Sequence, residues 1–224
     1  MHMRHVGGKL IRILRYLLLI PILFLIVLFS YNFVNPPFTP QTILASFNHQ
    51  VHKQRWIAIE NIPNSLVFTV ISGIDSNFCQ HWGFDFVSTR KNVATGDNPT
   101  RSITYRTVES LFLWNSDHYL KRALATPLVI LAELFWSKER ILELYLNTVR
   151  VNEESFGVGT GITILFDKEV RDINHEDIAL LTTVIADSEM IDTENLTLKQ
   201  FDQVVSLMGQ LSEFNPDEKI SCLR

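Results

Sequence analysis

The sequence predicts a mainly α-helical domain behind a single N-terminal membrane-spanning helix, and three observations lead there. Residues Tyr16 to Val34 form an almost unbroken apolar run. Beyond it, apolar residues recur at i, i+3, i+4 spacing behind recognisable helix caps. Strand-like segments are few, Leu66 to Ile71 being the one clear β-branched run, and that run also suits a helix.

The apolar run is broken only by Pro21, Ser30 and Asn32, and its length is close to the roughly 20 residues that cross a hydrocarbon core. Arg4, Lys9, Arg12 and Arg15 precede it with no acid before residue 35, so the positive-inside bias keeps the N-terminus cytoplasmic and sends the rest outward. A cleaved signal peptide is the competing reading. The run is long for one, and Asn32-Phe33-Val34-Asn35-Pro36-Pro37 offers no small-residue cleavage site. The expected layout is a basic tail over 1–15, the span over 16–34, a juxtamembrane linker over 35–54 and one outer domain over 55–224.

Removing the four N-terminal cations from the overall charge of −4 leaves −8 on the rest of the chain, which argues against a nucleic-acid partner. Only two cysteines occur, Cys79 and Cys222. An oxidising outer compartment allows them to pair. Two isolated cysteines read more simply as small buried apolar residues, so the pairing stays open.

Pro36-Pro37-Phe38-Thr39-Pro40 favours extended backbone leaving the membrane. Thr107 to Trp114 sets Val108, Leu111 and Phe112 at helical spacing, and a long apolar segment follows from Tyr119 to Trp136, where Pro127 is expected to kink or end a turn. Ser137 caps the next helix, with Glu139 in its first turn and Ile141, Leu144 and Tyr145 on its apolar face. Asn174 precedes a helix carrying Ile178, Leu181 and Ile185. Thr197-x-x-Gln200 has capping-box form ahead of Phe201, Val204, Val205, Met208 and Leu211. His49-x-x-His52 has a metal-like spacing but no third ligand nearby, and reads as a solvated loop.

Four segments stand out together: Asp75 to Asp85 with Phe78, His81 and Gly83; Pro99 to Leu111; Lys121 to Ala125; and Arg140 to Asn147. In order and spacing they resemble the motifs of the peptidoglycan glycosyltransferases of glycosyltransferase family fifty-one, in particular the short, monofunctional, membrane-anchored members that polymerise lipid II. Phe156-Gly157-Val158-Gly159, Phe166 and Ala179-Leu180-Leu181 keep the expected spacing too. The resemblance covers roughly residues 55 to 190 and implies a lysozyme-like helical fold.

It also implies a site with gaps. The family's first motif begins with the glutamate that serves as general base, and here that position is Ile74. An isoleucine accepts no proton, so a contribution of roughly 10²–10⁴ in rate is forfeited unless another group supplies it. The second glutamate falls on Ala125. In the second motif two glutamines become Tyr105 and Arg106, and a phosphate-facing lysine becomes Glu109, although Thr104 persists. Asp75 and Glu133 are the substitute carboxylates. A neighbouring helical side chain points about 100° away, which handicaps Asp75, and Glu133 reads more simply as a paired structural acid. For substrate binding the candidates are Lys121, Arg122, Arg101, Arg106, Thr104 and His81. Structural duties also account for His81, Asp85, Tyr145 and Asn147 as turn, cap or core residues.

Three readings follow. In the first the protein is catalytically impaired or inactive and binds lipid II, a glycan strand or a cell-wall synthesis partner. In the second it still polymerises lipid II with rearranged groups, and a divalent cation is the one cofactor to consider. The third is a decayed copy with no selected role.

Overall fold

A computed structural model describes residues 19–48, 51–86, 90, 102–113, 119–186, 196–215, 220 and 222–223. The chain divides into a unit over Met1–Pro36 and a second over Pro37–Arg224. In the first unit residues 19–30 are helical, and the Ser30 hydroxyl donates to the Val27 carbonyl at 2.7 Å in the last turn. Among the described residues no helix is long and apolar enough to cross a membrane. Residues 16–18 of the expected span, and the four N-terminal cations, lie outside them.

Among its described residues the second unit is built from helices joined by loops. Its helices are α1 (Pro40–Asn48), α2 (Asn64–Ile74), α3 (Ile103–Phe112), α4 (Tyr119–Phe135), α5 (Lys138–Thr148), α6 (Val158–Phe166), α7 (His175–Ala186) and α8 (Leu198–Glu213). Two single 3₁₀ turns cover Ile59–Asn61 and Val170–Asp172. The β-branched run Leu66 to Ile71 lies inside α2, where Leu66, Val67, Val70 and Ile71 are buried. Burial in a helical core outweighs the mild strand preference of such residues. The one β feature described is an isolated antiparallel bridge between Arg150 and Phe156.

The local caps form as the residue types require. Ser137 accepts from the Arg140 amide at 3.1 Å, and Thr197 and Gln200 form a reciprocal capping box. Asn174 and Asp177 do the same for α7, each side chain accepting the other's amide at 2.8 and 2.9 Å. Pro127 neither ends nor divides α4, which runs through it. It lies on the exposed side, and the carbonyl left without an amide partner belongs to Ala123, also exposed.

Helices α3 and α5 pack against each other, α2 against α7, and α7 against α8. Phe78, Ile103, Val108, Ile141, Leu144, Tyr145, Ile162 and Ile178 are almost completely buried. Helix α8 forms behind its capping box with apolar residues on two faces. Its inward stripe is Val204, Leu207 and Leu211, while Phe201, Val205 and Met208 face out. Those residues make two apolar stripes, and only one faces α7, where Ala179 meets Val204 and Leu207.

The two cysteines are bonded, with a Cα–Cα distance of 5.4 Å across 143 residues of sequence. This corrects the simpler reading of two separate apolar cysteines. The pairing is a long-range contact between the loop after α2 and the C-terminal segment, which no local pattern encodes.

Two predictions follow. Gly157 precedes α6 at φ +82°, and an added Cβ would lie 2.6 Å from the Asn147 carbonyl oxygen. Gly157→Ala is therefore expected to lower stability by about 1–3 kcal/mol, read from urea unfolding. The disulfide closes a long loop, so Cys79→Ser with Cys222→Ser should remove about 2–4 kcal/mol. Equal unfolding midpoints for parent and double variant would show that the bridge contributes nothing.

Candidate functional site

Helix α2 ends at Ile74, and Asp75 follows as its C-cap residue at φ −154° and ψ 70°. This change of direction separates two adjacent side chains. Ile74 turns into the core at 7% exposure. Asp75, also buried, holds His81 Nε2 on Oδ1 at 2.8 Å and accepts the Ile103 amide on Oδ2 at 2.9 Å. That amide opens α3, where an anionic group meets both an unpaired N–H and the positive end of the helix dipole.

The loop from Asp75 to Asp85 is then tied down from three further sides. Ser102, the N-cap of α3, donates its hydroxyl to the Gly83 carbonyl and accepts from the Tyr105 amide at 3.1 Å. Lys138, at the start of α5, donates to the His81 carbonyl at 2.7 Å and lies 4.5 Å from the centroid of the Phe78 ring. Asn77 donates to Asp85 Oδ2 at 3.0 Å. Gly83 sits at φ +76°, where a Cβ would overlap Val129 of α4, so the loop lies directly on that helix.

Glu133 comes up from α4 beside this loop. Its Oε1 accepts from Thr104 Oγ1 at 2.5 Å and from Lys138 Nζ at 2.8 Å, and its side chain is buried. A buried carboxylate needs such partners. Ala125, two turns earlier on α4, is fully buried.

Of the six binding candidates, the structure brings His81 and Thr104 together around this loop, alongside Asp75 and Glu133. Arg106 lies elsewhere. Its guanidinium donates to the carbonyls of Ile185 and Ala186 at 3.3 and 2.8 Å, closing the C-terminal end of α7. Tyr145, also donating to the Ile185 carbonyl, is wholly buried, which pushes its phenol above the usual range while the Arg106 charge opposes that rise. Lys121 is buried on α4 and pairs with Glu109 of α3 at 3.0 Å. Arg101 and the side chain of Arg122 lie outside the described residues.

The donor atoms of Asp75, His81 and Asp85 all lie within 4.8 Å of one another. Both Asp75 oxygens and Asp85 Oδ2 already accept hydrogen bonds, so this set forms a polar network in its own right. His52 of the expected loop pair meets Glu154 at 3.8 Å, and His49 lies outside the described residues.

Sequence reasoning passed over Lys138, which links His81, Phe78 and Glu133. One signal for it existed: a lysine just inside a serine cap and five residues after a buried acid. Ser102 was likewise readable as an N-cap.

The protein-family model described as Transglycosylase matches residues 40–209. A biosynthetic peptidoglycan transglycosylase of Haemophilus influenzae is 32% identical over 145 residues, which is 62% of this chain and 58% of that protein. One from Marinomonas sp. is 28% identical over 201 residues, 88% of each chain, and one from Bacteroides thetaiotaomicron is 27% identical over 184 residues, 79% of this chain and 74% of the relative. The matched segment runs from the start of α1 through most of α8, so it holds the whole arrangement around Asp75. The chain belongs to the transglycosylase family.

Proposed function

We propose that this chain is a catalytically silent member of its family, which holds lipid II or a glycan strand at the membrane surface without joining sugars. The observation that carries the reading is the state of the two glutamate positions, where Ile74 and Ala125 are apolar and buried. The substitutes are engaged as well. Asp75 is bound by His81 and the Ile103 amide, and one oxygen of Glu133 carries both Thr104 and Lys138. Glycosyl transfer to a hydroxyl needs a base within hydrogen-bond reach of the proton it removes, and these carboxylates serve the scaffold.

Charge on the donor side supports the same reading. A lysine facing phosphate has become Glu109, and Lys121 neutralises it within the protein rather than facing a ligand. Arg106 is spent on α7. Arg101 and Arg122, whose side chains lie outside the described residues, are the remaining candidates from the sequence for a lipid pyrophosphate, with charge-assisted contacts as the strongest hold available. Four N-terminal cations ahead of the apolar run Tyr16 to Val34 support an anchor in the inner membrane with residues 36–224 outside it. The Cys79–Cys222 bridge suits an oxidising compartment.

Incubation of the full chain with labelled lipid II and a divalent cation is expected to give no glycan ladder. Ladders would establish the active alternative, with Glu133 its first candidate base. Ile74→Glu alone should remain inactive, because base, amide and cation groups act as a unit whose effects are far from additive. Polymerisation from that single change would mean that the donor site is intact. For topology, a reporter fused after Arg224 should be active outside the cytoplasm; activity confined to the cytoplasm would reverse the orientation.

A further inference from the structure

A second concavity, sharing no residue with the loop and helices around Asp75, is built where the segment before α2 crosses α6. It has a volume of about 300 Å³ and its walls include Arg55, Trp56, Asn61, Thr163, Glu169 and Arg171. Gly159 and Ile57 also line it, and they meet closely, since a Cβ on Gly159 would overlap the Ile57 side chain.

The charges at its mouth balance. Arg55 stands 3.9 Å and Arg171 3.7 Å from Glu169, while Arg171 is 3.8 Å from Asp172. Two guanidinium groups thus face two carboxylates, and neither an anion nor a cation gains a net attraction. All three separations exceed hydrogen-bond length, so these contacts leave donors and acceptors able to reach a ligand. The opposite wall is aromatic and held in place. Trp56 donates its indole N–H to Glu143 Oε1 at 3.0 Å, and the Arg140 guanidinium lies 5.6 Å from its ring centroid.

A neutral ligand with many hydroxyls and one apolar face fits such a cavity. Sugars have that character, and the volume sits at the small end of ligand pockets. We propose that this cavity binds one or two rings of a neutral glycan, with a ring face against Trp56 and hydroxyls reaching Asn61, Glu169, Arg55 and Arg171. It deepens the glycan-holding reading above, and it gives the protein a grip on glycan that owes nothing to the site around Asp75.

The probe is the β-1,4-linked tetramer of N-acetylglucosamine, titrated by calorimetry into the full chain in detergent micelles. Binding in the range of about 0.1–1 mM is expected. Thr163→Phe fills the cavity from an exposed position on α6, and Glu169→Ala with Arg171→Ala removes one charge of each sign. Both should weaken binding at least about tenfold while leaving the thermal unfolding midpoint in place. No binding by the parent protein, or equal affinity in all three proteins, overturns the proposal. If the tetramer binds all three equally but is lost on Lys138→Ala, this cavity is excluded while the glycan-holding reading stands. A positive lipid II ladder would remove the silent-enzyme reading and leave the cavity untouched.

Discussion

One buried carboxylate, that of Asp75, carries the arrangement around the site. A charge out of water is tolerated only when donors surround it, and Asp75 is met by an imidazole nitrogen and by the amide that begins α3. The first fixes the loop after α2 and the second fixes α3 against that loop. Ser102, Gly83 and Lys138 then find partners at the distances observed because the loop is already placed. Without the carboxylate, His81 and the first amide of α3 would each lose a buried acceptor, at about 1–3 kcal/mol apiece. Asp75 is thereby required by the fold itself. The C-cap geometry sends the two side chains in different directions, Asp75 into the polar network and Ile74 into the core.

The same logic bears on whether the chain is a copy decaying without use. Random loss leaves buried charges unpaired, and an unpaired buried charge costs several kcal/mol. Glu109 is buried but paired at 3.0 Å with Lys121 on the adjoining helix. Glu133 is equally well supplied. Both buried acids are satisfied by internal contacts, and the C-terminal segment is bonded to the loop at Cys79. A fold kept in this order counts against decay.

What could be read in the sequence was local. Ser137, Asn174 and Thr197 with Gln200 announce their helices because a cap is an interaction over three residues. The run Leu66 to Ile71 and Pro127 were ambiguous for the converse reason: burial decides the first and exposure the second, and neither is visible in a window of ten residues. Which stripe of α8 faces inward depends on α7, so the pattern alone does not say that Val204, Leu207 and Leu211 turn in while Phe201 turns out. The Glu109–Lys121 pair, the disulfide and the convergence of Lys138 on His81 and Glu133 join distant parts of the chain. Spacing cannot announce them. The motifs brought Asp75, His81 and Thr104 to notice, and Glu133, a lone carboxylate on an apolar helix, reads from the sequence as the paired acid that the structure describes, though not with Lys138 and Thr104 as its partners.

The segment Arg140 to Asn147 has a structural duty of its own, which its contacts make plain. Asn147 is fully buried, accepts the Ile57 amide at 2.7 Å and donates to the carbonyls of Ile57 and Glu143 at 2.8 and 2.9 Å. Gln54 donates to the Asn147 carbonyl, and Glu143 holds both Trp56 and, at 3.0 Å, Arg140. Ile141, Leu142, Leu144 and Leu146 are fully buried between these polar residues. The motif therefore docks the extended segment 51–58 onto α5 and fills the core at once. Its polar residues are needed by the fold whether or not sugars are joined, whereas a general base is needed only for the reaction.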